Sequence, residues 1–305
     1  MIYISGEKVA ILGATGFIGS YVTKLFKRKC IDIIACSKNG GVIDGIAVDK
    51  VDLTKDRELF TWLYDKNVTT VIYLSSEIPL SFRESNWDSN WKLFNNNTIM
   101  HKNVFECWNK YKFHLIYASS CSVYGTSYKL VTEGTMPIPD NLYSISKLVG
   151  ENLFNIGNKN GLTLTILRIS APYGYNPRIP TVFNIFFENA LNNADLTLFN
   201  NGSRQQNFIY VKDVAHAFFI AYEKMINGTF NIASNKTISM IELANTIVNL
   251  IGSHSKIINS KYDDQQKDFS MIIDISKAKY GLGFVTEFSI EQGIMNIING
   301  DINEI

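Results

Sequence analysis

Short apolar, β-branched stretches alternate with longer amphipathic stretches in the first half of the chain. The short stretches predict strands at residues 8–12, 32–36, 45–51, 70–74, 114–118 and 162–169. The longer stretches predict helices at residues 18–29, 55–66, 94–110 and 144–159. Because strands and helices alternate at this spacing, we expect an α/β fold with a doubly wound parallel sheet that helices cover on both faces.

The pattern changes after residue 172, where prolines at positions 172, 177 and 180 interrupt the chain. The elements predicted beyond them are a strand at 208–211, a helix at 214–225 with Asp213 as its N-cap, and a strand at 229–233. We therefore expect a first domain at residues 1–172, which receives a return segment near 208–233. Residues 173–305 are expected to form mainly a smaller C-terminal substrate domain.

Composition narrows the kind of ligand. The 305 residues include 29 Lys and Arg against 28 Asp and Glu, a net charge of +1, and 46% are hydrophobic. This apolar fraction predicts a globular protein, and the near-zero charge provides no overall field to hold nucleic acid or an anionic membrane. No apolar run approaches the roughly 18 residues of a membrane span. A small-molecule ligand is therefore expected, with no nucleic acid and no membrane partner.

The four cysteines and four histidines are scattered along the chain. No Cys-x-x-Cys pair occurs, and no histidine lies one helical turn from a cysteine or from another histidine. We therefore predict reduced thiols, a cytoplasmic location and no metal site.

A glycine-rich segment at residues 13–19, GATGFIG, follows the first predicted strand and begins a helix. Gly13 permits a tight turn, Gly16 lets backbone amides approach a pyrophosphate, and Gly19 allows the helix to pack closely on the sheet. The helix N-terminus adds partial positive charge at the same place. This context predicts a Rossmann-type, NAD(P)-binding first domain. The loop residues expected to contact the cofactor are Gly13, Thr15, Gly16, Phe17, Ile18 and Gly19.

The end of the second predicted strand indicates which dinucleotide binds. Ser37 occupies the position where an acid would accept the ribose hydroxyls of NAD, and Lys38 follows it. The pair favours NADP(H), whereas NAD(H) is possible if Lys38 is a solvated loop residue. Asp52, next to Leu53 after the third predicted strand, is either an acceptor for the adenine amino group or the cap of the next helix.

Tyr143 and Lys147 are four residues apart on a predicted helix, so their side chains lie on one face. An ammonium group beside a phenol stabilises the phenolate, and we expect it to lower the tyrosine pKa from about 10. A hydroxyl-rich segment, SSCSVYG at 119–125, ends the preceding strand. Together these residues predict an acid/base site next to the dinucleotide.

Several segments together resemble the extended branch of the short-chain dehydrogenase/reductase superfamily, which includes nucleotide-sugar epimerases, dehydratases and 4-ketoreductases. These segments are GATGFIG at 13–19, SSCSVYG at 119–125, YSISK at 143–147 and RQQNFIYVKDVA at 204–215. Weaker matches at 274–278 and 282–284 extend the resemblance over nearly the whole chain.

The resemblance implies roles for individual residues. Ser120 would polarise the substrate carbonyl, Tyr143 would be the general acid/base, and Lys147 would hold the nicotinamide ribose while lowering the pKa of Tyr143. Asn97 matches a cofactor-side asparagine of the family, although satisfying helix backbone is an equally good role for it. The residues expected beside the ribose and nicotinamide are Leu74, Ser75 and Ser76.

The chain departs from the family on the substrate side. Cys121 and Ser122 occupy the places of an Asp-Glu pair in the dehydratases, so elimination of water is disfavoured. Ala171 replaces an asparagine and Gln206 an arginine of the diphosphate site. We therefore expect Arg178, Arg204 or Lys267 to compensate, or the substrate to differ. The predicted substrate-side residues are Cys121, Ser122, Ala171, Arg178, Arg204 and Gln206.

We predict an NAD(P)-dependent oxidoreductase that reduces the 4-keto group of a nucleotide-activated 6-deoxy sugar. Two alternatives stay open: a nucleotide-sugar 4-epimerase with tightly bound NAD, and a non-catalytic dinucleotide-binding regulator. The resemblance also implies a homodimer through the apolar helices at 94–110 and 144–156. The same apolar residues would equally well belong to the monomer core.

Overall fold

The computed structural model describes residues 7–79, 87–126, 130–175, 177, 179–262 and 271–300. Its strands are β1 Lys8–Leu12, β2 Asp32–Ser37, β3 Gly41–Ile43, β4 Ile46–Lys50, β5 Val68–Tyr73, β6 His114–Ser120, β7 Leu130–Val131, β8 Leu164–Ile169, β9 Ala171–Tyr173, β10 Leu196–Leu198, β11 Gln205–Gln206, β12 Phe208–Tyr210, β13 Gly228–Ile232, β14 Ile238–Ser239, β15 Ile257–Asn259 and β16 Ile272–Ile273. Its helices are α1 Phe17–Arg28, α2 Glu58–Leu63, α3 Trp87–Tyr111, α4 Leu142–Lys159, α5 Val182–Leu191, α6 Val211–Lys224, α7 Met240–Ile251 and α8 Ile290–Ile298. Within these ranges, no helix has both the length and the apolar composition needed to cross a membrane.

The largest sheet has eight strands in the order β13-β8-β6-β5-β1-β2-β4-β3. Its neighbours pair in parallel, except that β3 runs antiparallel to β4. On β1, Val9 and Ile11 pack into one core cluster whereas Ala10 and Leu12 pack into the other, because successive side chains point to opposite faces. Helices α1 and α6 cover the first face, and α2, α3 and α4 cover the second. The predicted doubly wound α/β fold is confirmed.

At one edge of the sheet, the structure differs from the prediction of a single strand at 45–51. The structure has a hairpin there, in which β3 and β4 are joined by Asp44 and Gly45. Both turn residues have positive φ, +48° and +76°, which is the backbone of the two-residue turns that join hairpin strands. The Asp-Gly pair was the sequence signal for this hairpin, and the strand prediction passed over it.

The helix predicted at 214–225 begins earlier, at Val211, so Asp213 lies inside the first turn and is not its N-cap. The Asp213 carboxylate instead accepts hydrogen bonds from the backbone N–H groups of Glu287, at 2.9 Å, and Phe288, at 3.4 Å. Burial raises the pKa of Asp213 to about 6. Its role is to fix the C-terminal segment onto α6.

The predicted return segment enters the large sheet only through its last strand. Strand β12 pairs with the short strand β9, apart from the large sheet, whereas β13 pairs with β8 along the edge of that sheet. Helix α6, which lies between β12 and β13, packs against α1. This pairing is compatible with the domain boundary predicted near residue 172. The boundary itself stays a prediction.

A buried ion pair joins α4 to the middle of the sheet. Arg168 on β8 donates two hydrogen bonds to Glu151 on α4, at 2.9 Å and 2.6 Å, and the two side chains are only 7% and 3% exposed. Ser119 donates to the same carboxylate at 2.5 Å. Tyr124 accepts a third Arg168 hydrogen bond at 2.9 Å and donates to Asn231 on β13 at 2.7 Å. The network connects β6, β8, β13 and α4.

Replacing Glu151 with Gln should lower the free energy of unfolding by about 3–5 kcal/mol, because it leaves the Arg168 charge buried without a counter-charge. Urea denaturation followed by circular dichroism measures this loss. The control is Glu106→Gln in the exposed Lys102–Glu106 pair, at 3.2 Å, where the expected loss is below about 1 kcal/mol. Equal, small losses in both variants would contradict the proposed importance of the buried pair.

Candidate active site

A single cleft of about 1350 Å³ opens where the parallel strands of the large sheet end. The carboxyl ends of such strands are the usual ligand-binding edge of an open α/β sheet. Every site residue predicted from the sequence lines this cleft, with two exceptions, Asn97 and Arg178. Asn97 is buried behind the cleft, and Arg178 lies outside the described residues. The segment that contains Lys267 also lies outside them.

Two glycines of the loop, Gly13 and Gly19, are packed so closely that no side chain fits at either position. Gly13 has a φ of +90°, and a Cβ there would lie 2.7 Å from the backbone nitrogen of Ser75. A Cβ on Gly19 would lie 2.1 Å from the carbonyl oxygen of Gly13. The first intrahelical bond of α1 runs from Ser20 N–H to the Gly16 carbonyl, so the amides of residues 17–19 have no intrahelical acceptor and face outward from the helix start. This turn fits a dinucleotide pyrophosphate.

The adenosine end of the cleft contains more acidic groups than the sequence suggested. Lys38 forms an ion pair with Glu77, in which Nζ lies 3.6 Å from Oε1. Asp52 does not cap α2. One of its carboxylate oxygens accepts hydrogen bonds from Thr54 N–H, at 3.0 Å, and from the Thr54 hydroxyl, at 2.7 Å. Burial raises the pKa of Asp52, but these bonds and the nearby Lys38 and Lys55 charges outweigh it and lower the pKa overall.

Asn97 lies within α3 and does not face the cleft. Its Oδ1 accepts a hydrogen bond from the backbone N–H of Glu77 at 2.8 Å, and its Nδ2 donates to the Glu77 carbonyl at 3.1 Å and to Ser146 at 3.0 Å. The prediction of cofactor contact is therefore not what the structure gives. As in the alternative that we proposed, Asn97 forms hydrogen bonds with backbone groups. These groups belong to Glu77, in the segment after β5, and not to a helix.

The three predicted catalytic residues meet at the end of β6. Ser120 Oγ accepts hydrogen bonds from Ser122 N–H, at 3.2 Å, and from the Ser122 hydroxyl, at 2.9 Å. Tyr143 on α4 is hydrogen bonded to Ser120. Lys147, one turn further along α4, donates to the carbonyl of Ala118 at 2.9 Å. Because α4 is held beside β6, the three polar groups converge in the cleft.

Burial, and not the charge of Lys147, dominates the protonation of this site. Burial raises the pKa of Tyr143 to about 12, although the hydrogen bond with Ser120 acts in the opposite direction. Burial lowers the pKa of Lys147 to about 7, against the effect of Glu151. The net pKa of Tyr143 is therefore raised, opposite to the lowering that we expected from Lys147. At neutral pH the phenol of Tyr143 retains its proton.

The departures on the substrate side have physical consequences. Cys121 is buried, its thiol donates to the Arg168 carbonyl at 3.2 Å, and burial raises its pKa. The hydroxyl of Ser122 donates a hydrogen bond to Ser120 Oγ. Gln206 Oε1 is buried, and no hydrogen-bond partner for it occurs among the described residues. Arg204 is 8% exposed, with Nη2 at 3.4 Å from Met240 Sδ.

Sequence reasoning missed part of the cleft. Glu77 carries no motif that would identify it, because its partners come from β2 and α3. The residues missed at the substrate end belong to α5, the region of β10, and α7; they include Ile185, Phe186, Asn189, Thr197, Phe199 and Met240. A single sequence contains no spacing signal for them. Across the described ranges, no cluster of three or more His, Cys, Asp or Glu side chains is arranged to bind a metal ion.

A sequence profile of the NAD-dependent epimerase/dehydratase family matches residues 9–233. The chain belongs to this family. It is similar to a putative UDP-glucose 4-epimerase of Methanocaldococcus jannaschii, with 28% identity over 95% of this chain and 97% of that protein. It is also similar to the solved UDP-N-acetylglucosamine 4-epimerase of Bacillus cereus, with 29% identity, coverage of 95% and 98%, and a TM-score of 0.82.

The fold is shared with a third relative, a UDP-glucose 4-epimerase of Thermus thermophilus that was solved in complex with NAD. The TM-score is 0.84 at 20% identity, over 98% of this chain and all of that one (100%). Family membership makes this chain an NAD-dependent epimerase/dehydratase-type enzyme.

Lys147 should link stability to pH. Its folded pKa is about 7 against an ordinary 10.5, so the unfolded chain binds more protons at this residue between those values. The contribution of Lys147 to the free energy of unfolding therefore rises with pH across this window and is constant below it.

In Lys147→Met this rise should disappear, so the wild type should gain stability relative to the variant between about pH 7 and about pH 9 in urea denaturation. The control is Lys159→Met, at the exposed end of α4, for which the difference should stay flat. A flat difference for Lys147→Met as well would show that the buried ammonium keeps its proton.

Proposed function

We propose that this protein is a nucleotide-sugar 4-epimerase that uses NAD(H). The observation that supports this most directly is the convergence of Ser120, Tyr143 and Lys147 in the same cleft as a glycine-lined turn that fits a dinucleotide. The two relatives at 28% and 29% identity, which match over almost their whole lengths, are both named as 4-epimerases of UDP-sugars. A UDP-hexose is accordingly the proposed substrate.

The proposed chemistry takes place at the C4 oxygen of the sugar. The hydroxyls of Ser120 and Tyr143 share a hydrogen bond, and both are available to bind that oxygen. Tyr143 accepts the proton of the C4 hydroxyl and later returns it, while Ser120 holds the oxygen in place. Residues 13–19 and Lys147 would hold the dinucleotide, which supplies the hydride acceptor and then the hydride donor.

To accept the C4 proton, Tyr143 must first be ionised to the phenolate, and burial opposes that ionisation. A cation close to the phenol favours the phenolate. Lys147 Nζ lies 5.7 Å from the centre of the Tyr143 ring, so a protonated Lys147 supplies that charge. The arrangement supports proton exchange in either direction, as an epimerase requires.

Dehydration is a poor fit to the same site. Elimination of water needs an acid and a base beside the reacting carbon, and carboxylates are the groups that usually provide them. Cys121 and Ser122 stand where those carboxylates would be, with the thiol held by the Arg168 carbonyl and the hydroxyl held by Ser120. This supports oxidation and reduction at one carbon without loss of water.

The 4-ketoreductase predicted from the sequence is the second candidate. The observation in its favour is that Tyr143 retains its proton at neutral pH, because a protonated phenol is the form that donates to the oxygen of a reduced carbonyl. The third possibility, a non-catalytic regulator, is not supported by a buried and convergent set of acid/base groups.

NAD(H) is the proposed cofactor, in place of the NADP(H) that the sequence favoured. The argument for NADP(H) depended on Ser37 in place of the usual acid and on Lys38 being available to a 2′-phosphate. Lys38 forms an ion pair with Glu77, and its charge also helps to lower the pKa of Asp52. The pairing removes the basis for preferring the phosphorylated cofactor.

We also propose a homodimer through α3 and α4, which pack against each other. Part of their apolar surface belongs to the monomer core, since Val104, Trp108 and Phe154 are fully buried. A second set is exposed on the same helices and consists of Trp91, Ile99, Val149 and Ile156. This second set is the proposed contact surface, and light scattering of the purified protein measures the oligomeric state.

A cytoplasmic location is part of the proposal. All four cysteines are free thiols, and Cys36, Cys107 and Cys121 are buried. Unpaired thiols in a large chain are typical of a reducing compartment.

The test of the proposed function is to incubate the purified protein with UDP-glucose or UDP-N-acetylglucosamine without added cofactor. We expect formation of the C4 epimers, detected by NMR, with no net consumption of nicotinamide nucleotide. In a parallel reaction, a nucleotide-linked 4-keto-6-deoxy sugar is supplied with NADPH. Stoichiometric NADPH oxidation there, with no epimer formed in the first reaction, would overturn the epimerase proposal in favour of the reductase.

Tyr143→Phe should lower kcat for the reaction observed by about 10²- to 10⁴-fold, because it removes the proton-transferring group. Dinucleotide affinity should stay within about twofold, since the ring and its packing are kept. Tyr280→Phe, at a tyrosine that is 80% exposed, is the control and should retain full activity. Undiminished kcat in Tyr143→Phe would remove the proposed mechanism.

A further inference from the structure

We propose that Glu77 determines the cofactor selectivity of this protein. Its carboxylate pairs with Lys38 in the dinucleotide part of the cleft and cancels the charge that would bind a 2′-phosphate, so NAD(H) is preferred to NADP(H). The inference rests on the proposed dinucleotide-linked function, and it assigns a role to a residue outside every recognised motif of the chain.

The ion pair spans the edge of the sheet where the dinucleotide turn lies. Lys38 directly follows β2 and Glu77 follows β5, and these two strands are the neighbours of β1 on either side. Lys38 Nζ and Glu77 Oε1, 3.6 Å apart, therefore meet across the end of β1, whose next residue is Gly13. Both residues line the cleft, so a bound dinucleotide shares this space with them.

Glu77 is held in place more firmly than the acid of an ordinary surface ion pair. Asn97 binds both its backbone N–H and its backbone carbonyl, and Asn97 itself is fully buried. Asn96 Nδ2 donates to the Glu77 carboxylate at 2.9 Å. Two successive residues of α3 thus fix the backbone and the charged group, which reduces the entropy that such pairs usually lose on forming.

Charge, and not space, is the feature that discriminates between the two cofactors. Ser37 is small, so the end of β2 leaves room for a 2′-phosphate. Around Lys38, however, lie two carboxylates, Glu77 and Asp52, for one cation. A phosphate dianion would have to displace Glu77 from Lys38 and remain beside both acids. The neutral ribose hydroxyls of NAD meet no such repulsion, and carboxylate oxygens are good acceptors for them.

The test is calorimetric titration with NAD⁺ and with NADP⁺, without sugar, after removal of bound nucleotide by charcoal treatment. We expect the wild type to bind NAD⁺ more tightly. Glu77→Gln keeps an oxygen acceptor for Asn96 but removes the charge, and it should tighten NADP⁺ binding about tenfold, which is about 1.4 kcal/mol. NAD⁺ affinity should change less than about threefold. Adding Lys38→Gln to Glu77→Gln should cancel the gain.

Glu223→Gln is the matched control, because it removes one negative charge from an exposed position on α6. It should leave the ratio of the two affinities unchanged. A wild type that binds NADP⁺ more tightly than NAD⁺ would overturn the proposal, as would a ratio in Glu77→Gln within twofold of the wild-type ratio. Because no sugar is present, these outcomes are independent of whether the protein epimerises UDP-sugars.

Discussion

The buried ion pair between Arg168 and Glu151 is the interaction on which the geometry of the site depends. Two charges removed from water are tolerated only when their remaining hydrogen bonds are satisfied, and Ser119 and Tyr124 provide these bonds. Ser119 precedes Ser120 on β6, and Glu151 lies one turn beyond Lys147 on α4. Satisfying the ion pair therefore sets the position of α4 against the ends of β6 and β8. The distance between the hydroxyls of Ser120 and Tyr143 follows from that position.

The burial that surrounds the ion pair also sets the protonation of the neighbouring side chains. Burial raises the pKa of Tyr143 to about 12 and lowers that of Lys147 to about 7. Behind them, burial together with the Lys147 charge lowers the pKa of His101 to about 3, so this histidine is neutral. His101 contacts the hydroxyl of Tyr73 and the carbonyl of Ser146, which supports α4 from within the core. Burial thus leaves the catalytic groups in forms that respond strongly to any charge brought into the cleft.

The parts of the protein that the sequence predicted are those in which short spacing determines geometry. The turn at 13–19 and the pair Tyr143 and Lys147 are local patterns, and they lie where expected. Asn97, Lys38 and Asp213 were interpreted less well, because their partners are distant in sequence. Asn97 binds a residue 20 positions away and Asp213 binds one 74 positions away. The direction of the Tyr143 pKa was missed for the same reason, since burial depends on the whole fold.

The chain has a net charge near zero, and the two ends of the cleft differ in the groups that they offer to a ligand. At the dinucleotide end, backbone amides and the start of α1 provide the positive potential, which needs no cationic side chain. At the substrate end, Gln206 has a buried Oε1 to which no described residue donates a hydrogen bond. A buried acceptor without a partner costs about 1–3 kcal/mol. The dinucleotide end therefore provides positive potential through its backbone, whereas the substrate end contains a buried polar group that the described residues leave unsatisfied.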